Sequence, residues 1–91
     1  MIEIVKVIEL KAVGAHSLWL RFSDGQEGVR DCSDILANGG PMVEPLRGPA
    51  VFRRAFLSFG VPTWPYGFDL DPINLHMEMK NGGLLHKVAA A

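Results

Sequence analysis

The first third of the chain is constrained most by one dipeptide, Asp24-Gly25, set between two runs of strand-like residues. Ser17 to Phe22 places Leu18, Leu20 and Phe22 on one side and Trp19 and Arg21 on the other, the period of a strand with one buried face. Asp24 and Gly25 both tolerate a positive φ, as the central residues of a type I′ hairpin turn must. The return strand is expected from Gln26 to about Cys32, with Gly28 weakening its pairing at a bulge. Upstream, Ile2 to Val13 also reads as a strand. Its apolar residues fall on both parities, Ile2, Ile4, Ile8 and Leu10 against Val5, Val7 and Val13. That pattern predicts burial on both faces and a central place in the sheet. Gly14-Ala15-His16 turns the chain between the two strands, giving an antiparallel meander.

Short helical signals follow. Ser33 is placed to cap a turn through Asp34-Ile35-Leu36-Ala37, ended by Asn38 or Gly39, and Gly39-Gly40-Pro41 opens a loop to Pro45. Gly48-Pro49 starts another turn, with Pro49 suited to a first helical position. From Arg53 to Phe59, alternation of Arg53, Ala55, Leu57 and Phe59 with Arg54, Phe56 and Ser58 favours a strand. Phe52, Phe56 and Phe59 also fit helical spacing, so a helix competes there. In Trp64-Pro65-Tyr66-Gly67, Pro65 fits position i+1 and Gly67 position i+3 of a type I turn, and Pro65 holds Trp64 extended. Asp71 as N-cap and Pro72 as first residue open a helix that Asn81-Gly82-Gly83 closes. The fold expected is α+β, an antiparallel sheet of about four or five strands with short helical turns and a C-terminal helix. Residues 1–83 form one domain in this reading, and residues 84–91 form a tail with no assignable element.

Composition narrows the function. With 48% apolar and 21% charged residues, the chain is not of the disordered class and has apolar surface to spare for a partner or a second copy. A formal net charge of -1 supplies no overall field to draw in nucleic acid or an anionic membrane. The lone Cys32 excludes an internal disulfide and a Cys-rich zinc site. Met1-Ile2-Glu3-Ile4 lacks the basic flank of a signal peptide, and no stretch approaches the roughly 18 apolar residues of a membrane span. A cytoplasmic location, with no cofactor, metal or membrane, is therefore expected.

Phe22-Ser23-Asp24-Gly25, Gly40-Pro41 and Pro45-Leu46-Arg47 with Pro49 and Phe52 occur in a fixed order along the chain. They lead to Trp64-Pro65-Tyr66-Gly67-Phe68-Asp69-Leu70-Asp71-Pro72, followed by Leu75. In order and spacing these residues resemble a small bacterial family known only as domain of unknown function 2442. The resemblance extends over most of the chain, and its most distinctive string is Trp-Pro-x-Gly-x-Asp-x-x-Pro. Two positions depart from the family pattern. Tyr66 stands where Asn is usual, and Gly48 where an acidic residue is usual, so the turn at Pro49 should be looser here. The resemblance implies an α+β domain with an N-terminal antiparallel sheet. It further implies association with repressor-like helix-turn-helix segments or with toxin–antitoxin pairs, and no established active site.

Several residues invite a chemical reading. Asp69 and Asp71 form an Asp-x-Asp that could begin a hard-metal site, but no further oxygen-ligand string follows and a helix cap already accounts for Asp71. His16, His76 and His86 lack zinc-like spacing and read as surface residues. Cys32 has the acidic neighbours Asp31 and Asp34, which raise a thiol pKa rather than activate it. Gly39-Gly40-Pro41 lacks the Gly-Lys-Ser/Thr of a phosphate loop. No catalytic residue is assigned. Trp64, Tyr66 and Phe68 are the partner-binding candidates, with core packing the competing role for Trp64 and Phe68. Asp24, Gly25, Pro65, Gly67, Asp71 and Pro72 serve turns and caps. The expected role is a non-enzymatic module that binds another small protein, with a homodimer as a further expectation. Nucleic-acid binding through Arg21, Arg30, Arg53 and Arg54 on one sheet face is the alternative, and a small enzyme using Asp69, Asp71 and a histidine comes third.

Overall fold

The computed structural model describes residues 5–87. Ile2 and Ile4 of the first expected strand lie outside them, as do residues 88–91 of the expected tail. The fold is α+β. A four-stranded antiparallel sheet, order β1-β2-β3-β6, comprises β1 (Val7–Ala12), β2 (Ser17–Phe22), β3 (Gln26–Asp31) and β6 (His86–Lys87). A second sheet pairs β4 (Phe56–Ser58) with β5 (Val61–Thr63). Helices α1 (Ser33–Asn38), α2 (Pro49–Phe52) and α3 (Pro72–Asn81) and a 3-10 helix, Gly40–Arg47, complete it. The C-terminal segment read as a tail thus supplies a strand, with Gln26 opposite Lys87 and Glu27 opposite His86.

Leu18, Leu20 and Phe22 are fully buried on β2, the strand that lies between β1 and β3. Val43 and Leu46 of the 3-10 helix, Phe52 of α2, and Leu75 and Met79 of α3 join them in one core. Complete burial of such side chains stabilises by about 1.5–3 kcal/mol each before ordering costs.

The strand β1 lies at the sheet edge rather than centrally, and a bulge explains why its pattern misleads. The register jumps from Val7 opposite Phe22 to Glu9 opposite Arg21, leaving Ile8 as the extra residue. The extra residue switches parity, so Val7 before it and Leu10 and Ala12 after it face the same core. Apolar residues on both parities therefore mark an irregular strand with one buried face.

The Asp24-Gly25 turn exists in a different form from the one expected. Phe22 and Gln26 close a loop of Ser23, Asp24 and Gly25, in which Gly25 has φ 87 and donates to the Phe22 carbonyl at 3.1 Å. Asp24 keeps a negative φ, and its Oδ1 instead accepts from the Gln26 amide at 3.1 Å. This is a loop with one left-handed glycine rather than a two-residue type I′ turn. The type I′ signature, positive φ at both central residues, occurs between β4 and β5 at Phe59 (φ 51) and Gly60 (φ 81). A bulky residue in that region carries strain on the order of 1–3 kcal/mol.

No bulge occurs at Gly28: the β2–β3 register is regular through Leu20 opposite Gly28. The glycine is needed for a different reason. A Cβ at Gly28 would sit 2.2 Å from the Leu84 carbonyl oxygen, so the backbone leaving α3 runs where a side chain would be. That exit is a tight C-cap. Gly83, at φ 71, donates to the Lys80 carbonyl, and Leu84 donates to that of Met79.

Ser33 does not cap α1. Cys32 occupies the N-cap position, and the Asp31 carboxylate accepts from both the Ser33 amide (2.9 Å) and its hydroxyl (2.7 Å). The expected loop through Pro45 is wound as the 3-10 helix, because Val43 and Leu46, three apart, bury on one side of a three-residue turn. The Arg53–Phe59 strand is shorter than its alternation suggests. Arg53 and Arg54 form the turn after α2, and only Phe56–Ser58 pairs. At α3 the expectation holds: Asp71 Oδ1 accepts from the Ile73 amide at 3.1 Å, and Pro72 takes the first turn.

Two substitutions test these readings in denaturant melts. Gly28→Ala should destabilise by about 1–3 kcal/mol, the range for overpacking, and speed amide exchange in β6. Asp71→Ala should cost about 1 kcal/mol and Asp71→Asn much less, since an amide oxygen still caps.

Candidate functional site

The segment after β5 is a rigid hairpin tip. Pro65 and Tyr66 start its loop and Gly67 (φ 89) ends it, the glycine donating to the Trp64 carbonyl at 3.0 Å. Trp64 in turn donates to the Phe68 carbonyl at 2.9 Å, and the Leu70 amide to that of Pro62 at 3.0 Å. A bridge between Thr63 and Asp69 continues the pairing. The loop repeats the architecture of Ser23-Asp24-Gly25, with the glycine at the same place.

Of the three aromatic candidates, Trp64 is excluded from any contact surface. It is 2% exposed, and its indole N–H donates to the Phe52 carbonyl at 2.8 Å, satisfying a group at the end of α2. Phe68 is half-buried against it, ring centroids 5.6 Å apart. Tyr66 is 54% exposed at the tip. One side chain therefore roots the hairpin in the core and a neighbour is presented to solvent.

The groups with chemical potential are engaged elsewhere in the fold. Asp71 caps α3, and His76 reaches Asp24 Oδ2 at 2.7 Å rather than Asp69 or Asp71. His76 also sets its ring edge-on to Phe22, with centroids 4.9 Å apart, so it ties α3 to the β2–β3 loop. His16 donates to the Arg47 carbonyl at 2.7 Å and packs edge-on against Phe52. Neither is the free surface residue its isolation in sequence suggests. Among the described residues, no three His, Cys, Asp or Glu side chains converge to hold a metal ion.

Cys32 is buried, and that burial pushes its thiol up to about 12, with Asp34, Asp31 and Glu78 adding to the rise and Arg30 opposing it. It is a neutral thiol at physiological pH, in an environment opposite to that of a reactive cysteine.

A cleft of about 350 Å³ lies between α1 and α3. Its polar groups converge on one another. Arg30 holds both Asp34 oxygens (2.8 and 3.1 Å) and Glu78 (3.1 Å), and Asn74 donates to Glu78 at 2.9 Å. The hydrogen bonds to Asp34 hold the guanidinium firmly charged, and Arg30 in return holds the Asp34 carboxyl below the usual range. Aliphatic walls from Ile35, Leu70 and Leu75 complete it.

The four arginines of the nucleic-acid reading do not share a sheet face. Arg21 lies on the face away from the core, over Trp19 at 5.4 Å and 3.6 Å from both Glu9 and Glu27. Arg30, opposite Leu18, is on the helix side of the sheet, and Arg53 and Arg54 lie in the turn after α2.

A family model described as Protein of unknown function (DUF2442) matches residues 7–81. The chain belongs to this family. Nothing among curated proteins or solved structures matches it. The matched span runs from the start of β1 to the end of α3, so the DUF2442 unit takes in both glycine-ended hairpin loops and the helix-capping Asp71. Among the described residues, no helix is long and apolar enough to cross a membrane.

Sequence reasoning missed Phe59. Its ring is 96% exposed, at the tip of the β4–β5 turn. The Phe59-Gly60 pair between two short β runs was an available signal, hidden because strand alternation continues through Phe59.

The state of Cys32 is measurable. Its folded pKa lies above the ordinary thiol value of 9.0, so its contribution to stability is complete below that value. It is lost as pH rises towards about 12, where the folded thiol also ionises. Native protein at neutral pH should resist alkylation at Cys32 and react on unfolding. Wild type should also lose more stability than Cys32→Ala as pH climbs above 9.0; equal alkaline loss would overturn the assignment.

Proposed function

We propose that this DUF2442 domain is a non-enzymatic interaction module that docks another small protein through the Tyr66 hairpin tip or the strand edge beside it. The observation that carries this reading is the mounting of Tyr66. Trp64 fixes one side of the loop in the core, paired backbone bonds fix its closure, and the phenol ring faces outward. An aromatic on a pre-ordered turn loses little conformational freedom on binding, which favours such residues as anchors. The hydrogen-bonding duties of Asp71, His16 and His76, and the neutral thiol of Cys32, weigh against hydrolytic or nucleophilic chemistry. The partner is a small protein in the cytoplasm, and the domain acts as a regulatory accessory in a toxin–antitoxin-like or transcription-related pair. That setting rests on resemblance to the company such domains keep.

The test compares wild type, Tyr66→Ala and Tyr66→Asn as baits in native lysate, read by mass spectrometry, with melting curves as a control for folding. Asn preserves the turn and removes the ring. Both variants should fold normally and lose the enriched partner. Equal capture by the variants, or no enrichment by wild type, would overturn the proposal.

A further inference from the structure

The cleft between α1 and α3 has chemistry that its structural ion pairs do not exhaust. Arg30 forms its floor, with a side chain 14% exposed, and Asp34 and Glu78 stand at its rim, 61% and 47% exposed. The terminal nitrogens of Arg30 are saturated. Nη1 donates to the Asp31 carbonyl and Asp34 Oδ1, and Nη2 donates to Asp34 Oδ2 and Glu78 Oε2. Each carries only two hydrogens, so the terminal N–H groups that a bound anion would use are all spent. What remains open in the lining is acceptors. Asp71 Oδ1 caps α3 and the Asn74 amide nitrogen donates to Glu78, while Asp71 Oδ2 and Asn74 Oδ1 have no hydrogen-bond partner among the described residues. Asp34, Asp71 and Glu78 against Arg30 give the lining a net charge of -2, although the whole chain carries only -1.

We propose that this cleft binds an alkylammonium group, with the charged head among Asp71, Asn74 and Glu78 and the aliphatic stem along Ile35, Leu70 and Leu75. A cleft lined mainly by one sign of charge focuses its field on the opposite sign, and every unspent acceptor here calls for a donor. A metal ion does not fit the lining, because the Arg30 guanidinium already lies between Asp34 and Glu78. A guanidinium ligand prefers a carboxylate that it can grip through both oxygens. Asp34 already gives both of its oxygens to Arg30, and Glu78 divides its two between Arg30 and Asn74. An ammonium is a point charge with three donors, which acceptors from separate side chains can share. The aliphatic walls set the rest of the ligand, since methylene stems bury on apolar surface while the charged end stays among polar groups. The volume of about 350 Å³ accommodates a small ligand of this kind. A lysine side chain and a free polyamine present the same chemistry. The site shares no residue with the Tyr66 tip and stands independently of the docking proposed there.

Titration of the purified full chain at constant ionic strength, followed by backbone amide chemical shifts, provides the test. n-Butylammonium should give saturable shifts in α1 and at residues 70–78, and butyrate, of the same chain length, should not. Asp71→Asn keeps the cap and removes one charge, and Glu78→Gln keeps an acceptor for Arg30. Each should weaken binding at least about threefold. Glu44→Gln removes an equal charge from the 3-10 helix, outside the lining, and should leave the affinity unchanged. Spermidine and a capped lysine tripeptide separate the two sources, the tighter binder marking the ligand as free amine or as side chain. Absence of saturable shifts with n-butylammonium overturns the proposal. An equal response to butyrate overturns it too, as does an affinity indifferent to Asp71 and Glu78 or weakened equally by Glu44→Gln.

Discussion

Strand β2 can face only one way. Leu18, Leu20 and Phe22 are fully buried on it, so a one-residue slip against either neighbour would turn all three out to water. The rest of the sheet is arranged to prevent that slip. On one side the Ser23-Asp24-Gly25 loop fixes the pairing with β3, and His76 holds that loop through Asp24. On the other, the Ile8 bulge lets β1 match its core-facing residues to those of β2 despite an irregular pattern. The helices then pack against a surface whose register is already set.

The polar groups follow the same logic at the joints between elements. Asp24, Asp31 and Asp71 each serve a backbone amide near an element boundary, and Arg30 joins β3 to α1 and α3. Exposed ion pairs contribute little singly, about 0–1 kcal/mol. The one between Arg30 and Asp34 is reinforced by two hydrogen bonds and by Glu78. Residues that in isolation suggest metal or acid–base chemistry thus have structural duties fixing where helices begin and how they meet the sheet.

Features with local causes were legible in the sequence. The β2 face, the Asp71 cap, Pro72 and the closing glycines depend on neighbours a few residues away. Much of what was misread depends on distant contacts. Gly28 looked like a bulge because its true constraint, the Leu84 backbone, is far along the chain. The place of β1 in the sheet depends on one extra residue that periodicity cannot register. His16 and His76 looked free because their partners, Arg47 and Asp24, are remote. At the candidate site, the pattern around Pro65 and Gly67 indicated the turn and the outward Tyr66. Phe59 remained hidden, because a left-handed phenylalanine violates the preference by which such turns are recognised.

The approach of Leu84 to Gly28 also has a bearing on biosynthesis. The β1–β3 meander is complete by Asp31, yet the strand beside β3 lies 55 residues further on, at His86–Lys87. A chain emerging from the ribosome at about 5–20 residues per second can therefore form its hairpins early. Throughout that interval the β3 edge remains open. The notch at Gly28 cannot fill until α3 has wound and its glycine exit has turned the chain back. The nascent domain thus carries an unprotected sheet edge until residues 86–87 appear, and this is the interval in which a chaperone or a neighbouring nascent copy could engage it.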